Sequence, residues 1–214
     1  MKTSGTVGRL ATTLSLACSF GGANAALTTY TSEATFRAAA GTVATYDFDG
    51  FALTNGPDIY GMYAPLDRQI TGIDFDNSRI NIGAFGGTSL SAPNVILNAD
   101  FINPIVIRFD APRVAVGLYN TSIVDAERVD AFDSNNVLLG SISLSASIVN
   151  FGGFISTTPI SRLSITPISP TNGSIYIDNL LVGAVPEPST YVLFVLGVAA
   201  VSASAHRRRL NTKP

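Results

Sequence analysis

The amino-acid sequence predicts an all-β sandwich of about 9–12 short antiparallel strands with one short N-terminal helix. Two observations lead to this prediction. Apolar and polar residues alternate with period two in many short segments, and turn residues separate these segments at intervals of about ten residues. No long helical pattern alternates with the strands, which argues against a parallel α/β sheet. Residues 26–184 are expected to form this single domain.

The strand pattern is clearest in the segment "PIVIRFD", where Ile105, Ile107 and Phe109 share one face. A turn at residues 110–112 is expected to separate it from the next strand, "RVAVGLY". Residues 133–136 are expected to form a hairpin turn. The predicted strands are residues 43–48, 69–75, 79–84, 104–109, 113–119, 128–132, 137–144, 162–168 and 174–182.

One segment has helical character. Ser32 is placed to cap the segment "EATFRAAA", and Gly41 follows it as a natural end of the helix. Two longer segments, residues 51–68 and residues 83–98, are rich in turn residues and are expected to be surface excursions.

The composition of residues 26–184 excludes several functions. This part of the chain has seven arginines, no lysine and fourteen acidic residues, which gives a net charge of −7 and argues against nucleic acid as a partner. The only cysteine and the only histidine, Cys18 and His206, lie outside it. A disulfide framework, Ser-His-Asp or Cys-His hydrolysis, and ordinary zinc, copper or haem ligation are therefore excluded.

Residues 1–25 have the pattern of a secretory signal peptide. A positively charged start precedes an apolar stretch over residues 10–20, and small residues ending at Ala25 form a cleavage site. The protein is therefore expected to leave the cytoplasm. Two alternatives are a retained N-terminal anchor and lipidation of Cys18, although the residues before Cys18 match a lipobox poorly.

Residues 185–214 combine an apolar segment with a basic end. The apolar residues 190–205 would form a helix about 24 Å long, slightly short of the ~30 Å hydrocarbon core of a bilayer. Arg207, Arg208 and Arg209 then act as a stop-transfer cluster that stays cytoplasmic. This pattern predicts a short C-terminal transmembrane helix that leaves the sandwich outside.

Pro186, Glu187 and Pro188, followed by the apolar helix and the arginines, resemble the PEP-CTERM sorting signal of Gram-negative exported proteins. The resemblance implies recognition of these three residues by exosortase, a membrane protease or transpeptidase, at an inner-membrane stage before release to the cell surface or exterior. The two prolines keep the segment extended, a conformation that a protease can bind. The alternative is a permanently membrane-anchored structural protein.

Two segments, "YDFDG" and "IYIDNLLVG", resemble the first and last strands of jelly-roll carbohydrate-binding and galactose-binding-like domains. The resemblance implies a jelly-roll-like sandwich with a structural calcium ion, for which Asp47, Asp49 and Asp178 are the candidate ligands. Calcium prefers such carboxylate oxygens. The alternative is that these residues only end strands or face water.

The excursion before residue 69 holds a candidate ligand loop. Tyr60 and Tyr63 are aromatic residues that strand periodicity does not explain, and Asp58, Asp67 and Arg68 offer hydrogen bonds nearby. Aromatic rings and polar groups on a loop suit a polysaccharide. The alternative is that the tyrosines cover one end of the sandwich.

Carboxylate pairs raise the question of an enzyme. Asp47 with Asp49, or Asp74 with Asp76, could serve a secreted glycoside hydrolase. Nothing else in the sequence marks an acid/base site. We therefore expect a non-enzymatic surface or extracellular-matrix protein, with an exosortase-like enzyme and extracellular polysaccharide as partners.

Overall fold

The computed structural model describes residues 26–51, 64–66, 68–82, 88–146, 149–168 and 173–183 of the chain. These residues form one helix and eleven strands, and all the paired strands are antiparallel. The prediction of an all-β protein with one short helix is confirmed. The elements are β1 Leu27–Tyr30, α1 Glu33–Ala40, β2 Val43–Tyr46, β3 Ala64–Pro65, β4 Ile73–Asp76, β5 Ser78–Ile82, β6 Asn94–Asn98, β7 Ile105–Asn120, β8 Glu127–Phe132, β9 Leu138–Leu144, β10 Asn150–Pro167 and β11 Tyr176–Gly183.

Two long strands, β7 and β10, pass through both halves of the sandwich. In the first half-sheet they lie between β1 and β11, and β6, β5 and β3 continue beyond β11, which also pairs with β2. In the second half-sheet they lie between β4 and β8, and β9 completes the edge. Side chains from both halves meet in one apolar core. The arrangement is consistent with a jelly-roll-like sandwich whose corners are formed by bent strands.

The expected turn at residues 110–112 is wrong, because the chain continues there as a strand. The two strands predicted on either side of it are halves of β7, which is 16 residues long. Strand β10 has 18 residues and likewise continues through Pro159, where its pairing with β7 shifts between Ile155 and Ile160. Proline lacks the amide donor of a ladder bond but is tolerated at such irregularities. Pro112 and Pro159 therefore lie within continuous strands, close to shifts in the pairing of β7 with β10, and the strands are longer than expected.

The expected surface excursion over residues 83–98 is wrong for its last five residues. Strand β6 lies there, between β5 and β11. Ile96 packs in the main core, whereas Val95 and Leu97 pack with Tyr176 on the opposite face. Because both faces are covered, the strand has a continuous apolar run in place of the alternation that marks a half-buried strand.

Helix α1 packs on the outer face of the first half-sheet. Its Phe36 is fully buried and lies with ring centroids 5.4 Å from Phe151 and 5.9 Å from Tyr30. The predicted end at Gly41 is confirmed, with a φ of 74° that suits glycine. Ser32 precedes the helix as predicted, but its side chain makes no capping hydrogen bond. The helix is therefore held mainly by the burial of Phe36.

Candidate functional site

The outer surface of the second half-sheet carries several charged side chains. Successive side chains along a strand point to opposite faces, so the residues that alternate with the core positions of β4, β7, β8 and β10 share the solvent side. We call this surface the polar face. Its members are Asp74, Asp76, Arg108, Arg128, Asp130, Phe132 and Arg162.

One row of side chains crosses four strands of the polar face. Asp74 lies opposite Arg108, Arg108 opposite Arg162, and Arg162 opposite Phe132. The Arg162 guanidinium carbon lies 3.8 Å from the centroid of the Phe132 ring, a cation–π contact. Arg108 donates to the Asp76 carboxylate at 3.3 Å. Partial burial and the charge of Arg108 lower the pKa of Arg162. The row therefore places two guanidinium groups side by side at its centre.

A second polar network lies beside this row. The Arg128 guanidinium donates from Nε to Oδ2 of Asp130 at 3.0 Å, and its Nη2 lies 2.9 Å from the same oxygen. The Ser141 hydroxyl donates to the other oxygen of Asp130. Asp130 is nearly buried while Arg128 is largely exposed. The network therefore holds the Arg128 guanidinium in position. The N–H groups that do not contact Asp130 can donate to a ligand.

A groove of about 420 Å³ opens where the polar face meets its β4 edge. The Arg68 guanidinium lies 3.6 Å from the Asp74 carboxylate within it. Asp76, Asn77 and Arg108 line the same groove. It therefore offers both hydrogen-bond donors and acceptors and continues directly into the row of aligned side chains.

The predicted ligand loop meets this groove at its last residue. Arg68 is exposed there, and Leu66, two residues earlier, is fully buried and fixes the end of the loop to the core. The remaining predicted residues lie outside the described residues: Asp58, Tyr60, Tyr63 and Asp67.

The predicted calcium ligands contact the segment before β6. The Asp178 carboxylate in β11 is fully buried and accepts backbone N–H groups from Leu90 at 2.7 Å and Ser91 at 3.0 Å. Burial raises the pKa of Asp178 to about 6 and outweighs these hydrogen bonds, while the charge of Asp49 adds to the rise. Asp49 accepts the backbone N–H of Asn94 at 2.9 Å. Both carboxylates thus help to hold this segment in place.

The hydroxyl of Ser91 lies among several acceptor oxygens. Its Oγ is 3.4 Å from both carboxylate oxygens of Asp178, 3.4 Å from the carbonyl oxygen of Asp47 and 3.0 Å from Oδ1 of Asn179. One hydroxyl can donate to only one of them. Among the described residues, no three His, Cys, Asp or Glu side chains form a group that could hold a metal. Calcium at this place stays a prediction.

A family model described as the PEP-CTERM protein-sorting motif matches residues 184–209. The chain therefore carries a PEP-CTERM sorting motif near its C-terminus. The match includes the predicted sorting residues Pro186, Glu187 and Pro188 and the arginine cluster, all of which lie outside the described residues. The motif indicates export through the inner membrane and processing by exosortase, which lead to the cell surface or extracellular space.

The remaining comparisons concern the whole exported chain. No curated protein matches it. One similar solved structure is a mutant of the lectin-binding domain of lectinolysin complexed with Lewis b, with 11% identity and a TM-score of 0.33. This likeness covers 50% of the exported chain and 91% of that structure. Over the ranges that the structure describes, no helix is long and apolar enough to cross a membrane, and the predicted C-terminal helix lies outside them.

Sequence reasoning missed the polar face of the exported protein as a site. The alternation in β7, β8 and β10 already indicates that Arg108, Arg128 and Arg162 point away from the core. It does not reveal which residues of different strands lie opposite each other, because register depends on long-range pairing.

Proposed function

We propose that the exported chain is a non-enzymatic surface or extracellular-matrix protein that contacts extracellular polysaccharide through its polar face. An exosortase-like enzyme first processes its C-terminal segment. One observation supports the proposed contact with polysaccharide. The chain has an export motif and presents Arg108, Arg162 and Phe132 in a single row beside an open groove.

The shape and chemistry of the polar face suit an extended sugar chain. Four antiparallel strands present a broad surface, and the groove extends it toward Arg68. Guanidinium groups and carboxylates provide donors and acceptors for hydroxyl groups, and the Phe132 ring offers an apolar surface to a pyranose ring. The loop that ends at Arg68 would add Tyr60 and Tyr63 to the same surface.

The carboxylates of the polar face support binding over hydrolysis. A glycoside hydrolase needs one carboxyl group as an acid and a second as a base or nucleophile. Here the Asp74 carboxylate lies 3.6 Å from Arg68, and the Asp76 carboxylate lies 3.3 Å from Arg108. Each acid therefore has a cationic partner, which favours a role in holding the arginines in position.

A structural calcium ion at Asp47, Asp49 and Asp178 belongs to the same proposal. Several oxygen acceptors, from Asp47, Asp178 and Asn179, lie around the Ser91 hydroxyl, and calcium prefers oxygen ligands of this kind. The ion would then hold β11 and the segment after β2 together. The expected role is to stabilise the sandwich, not to take part in chemistry.

Binding of the full chain, purified in mild detergent, to an array of extracellular polysaccharides tests the contact. The variant Arg108→Ala plus Arg162→Ala should lose at least tenfold in affinity, and Tyr60→Ala plus Tyr63→Ala should weaken binding further. Arg37→Ala is the matched control, because Arg37 lies on α1 and pairs with Glu33 away from the polar face. Absence of binding by the wild type, or equal loss in the control, would remove the polysaccharide proposal.

A further inference from the structure

Strand β9 forms one edge of the second half-sheet. Among the described strands it pairs only with β8, so no described strand pairs with its other side. The backbone N–H and C=O groups on that side can pair with a further strand, because an edge strand presents a row of such groups. The edge of β9 is therefore a possible binding surface that is separate from the groove and from Asp178.

Strand β9 lacks the features that usually block a sheet edge, which are charge, proline and shortness. Strand β3 has two residues and contains Pro65, and β4 has four residues and carries Asp74 and Asp76. Strands β1 and β2 have four residues each. In contrast, β9 has seven residues and contains neither a charged residue nor a proline. Among the edge strands of the described sheet, β9 is thus the one most open to pairing.

The regular part of this edge is five residues long. Between Leu138 and Gly140 the pairing of β9 with β8 shifts, which leaves Leu139 without a partner on β8. From Gly140 to Leu144 the register is continuous. In this stretch Ile142 and Leu144 are buried in the core, whereas the two serines between them and Gly140 are exposed. A partner strand would therefore meet a regular edge with apolar residues on one side and hydroxyl groups on the other.

The distribution of charge suits a second copy of the chain as the partner. Residues 26–184 have a net charge of −7, so most surfaces of two copies repel each other. The charged residues nearest to this edge, Arg128 and Asp130, lie on β8. If two β9 strands pair, the two β8 strands are three strand spacings apart, about 14 Å. This separation exceeds the Debye length of about 8 Å at physiological ionic strength, so pairing through β9 avoids strong repulsion.

We propose that two copies of the chain pair edge to edge through antiparallel β9 strands, with Ile142 opposite Ile142 of the second copy. In this register Ser141 lies opposite Ser143 of the second copy, and Gly140 lies opposite Leu144. Residues that are directly opposite point to the same side of a sheet, so apolar residues meet apolar residues and hydroxyl groups meet hydroxyl groups. All five residues of the regular edge are used.

This pairing gives the dimer one continuous outer surface. The twofold axis is perpendicular to the sheet, so the polar faces of the two copies lie on the same side. A long polysaccharide could then contact both copies at once, a consequence that rests on the proposed function. The pairing itself does not depend on sugar binding.

Sedimentation velocity of the full chain in mild detergent tests the dimer. An interface this small is weak, so the protein is measured from about 10 μM to about 1 mM. We expect the wild type to change from monomer to dimer over this range. Ser141→Lys plus Ser143→Lys should weaken dimerisation at least tenfold, because it places like charges opposite each other.

Gln69→Lys plus Thr71→Lys is the matched control, because it adds the same charge at two exposed residues before β4. This variant should dimerise like the wild type. A wild type that stays monomeric would overturn the proposal. Dimerisation of the β9 variant that equals that of the control would overturn it too, because another part of the chain would then hold the copies together.

Disulfide crosslinking tests the register. Directly opposite Cα atoms are about 4.5–5.5 Å apart, a distance that a disulfide can span, whereas diagonal neighbours are about 7–8 Å apart. With Cys18→Ser in the background, an introduced cysteine is the only one in the chain. Unlabelled Ser141→Cys chains are mixed with isotope-labelled Ser143→Cys chains and treated with oxidised glutathione. We expect the mixed dimer to exceed each same-residue dimer several-fold by mass spectrometry, and equal yields of the three dimers would overturn the proposed pairing.

Discussion

Arg108 and Arg162 lie directly opposite each other on neighbouring strands of the polar face. Like charges in this position usually destabilise a sheet by a few tenths of a kcal/mol to about 1 kcal/mol. The sandwich offsets this with the Phe132 ring beneath Arg162 and the Asp76 carboxylate beside Arg108. These two contacts hold the guanidinium groups in place despite their mutual repulsion.

Replacing one of the two arginines should therefore cost little stability. For Arg108→Thr we expect the free energy of unfolding to change by less than about 1 kcal/mol, because relief of the repulsion offsets the lost contact with Asp76. Urea denaturation measures this. Arg128→Thr is the comparison and should cost more, since it removes the cation from the nearly buried Asp130. A larger loss for Arg108→Thr than for Arg128→Thr would indicate a structural role for the pair.

The docking of α1 depends on the absence of a side chain at Gly153. A Cβ atom there would lie 2.8 Å from Cδ2 of Phe36 and 2.9 Å from Cε1 of Phe151. Gly153→Ala should thus lower the free energy of unfolding by about 1–3 kcal/mol. Gly50→Ala, with no atom within 4 Å of the new Cβ, is the control and should be close to neutral. Equal stability of the two variants would show that α1 can move away from the sheet without cost.

A hydrogen bond from Tyr119 to Glu33 ties α1 to β7. Partial burial opposes ionisation of Glu33, but the hydrogen bonds from Tyr119 and Arg37 and the charge of Arg37 outweigh it and lower its pKa. A lowered pKa gives stability that is complete above the unfolded-state pKa and is lost as the pH falls through the folded-state value. Tyr119→Phe should lower the free energy of unfolding by about 1 kcal/mol at neutral pH.

The same loss should shrink as the pH falls below the ordinary glutamate value of 4.5, because protonated Glu33 no longer attracts the tyrosine hydroxyl as strongly. Urea denaturation of Tyr119→Phe and the wild type across this range checks the sign. A difference between the two proteins that stays constant down to pH 3 would contradict the link to Glu33 ionisation.

Calcium at Asp178 should appear as a dependence of thermal stability on chelation. Adding EDTA to protein equilibrated with calcium at about ten times its dissociation constant should lower the melting temperature by roughly 3–6 °C. The drop should be smaller in Asp178→Asn than in Asp110→Asn, a control at an exposed carboxylate of β7. Identical melting temperatures with and without EDTA in the wild type would remove calcium as a structural ligand.

The sequence predicted the elements with local signals well. Helix α1 and the hairpin turn at residues 133–136 are confirmed, and in that turn the Asp133 carboxylate accepts the backbone N–H groups of Asn135 and Val137 at 2.8 Å each. Strand β6 was missed because burial on both faces removes the alternation that local reasoning uses. The continuity of β7 was missed because a proline within a bend has the same local signal as a turn.

The candidate site was less accessible to such reasoning. That Arg108 and Arg162 face outward follows from alternation, but their juxtaposition depends on the register of two strands about fifty residues apart in the chain. In the sequence, nothing distinguishes Glu127 from an exposed strand residue. Only the three-dimensional packing shows that its side chain is buried. Sites that depend on long-range strand register or on the burial of a polar group can thus be found only from the three-dimensional structure.

The most direct test of the account is the intact mass of the chain recovered outside the cells that export it. Processing by exosortase at the sorting motif predicts a mass that lacks Arg207, Arg208 and Arg209. A mass that retains these three arginines would contradict processing at the sorting motif.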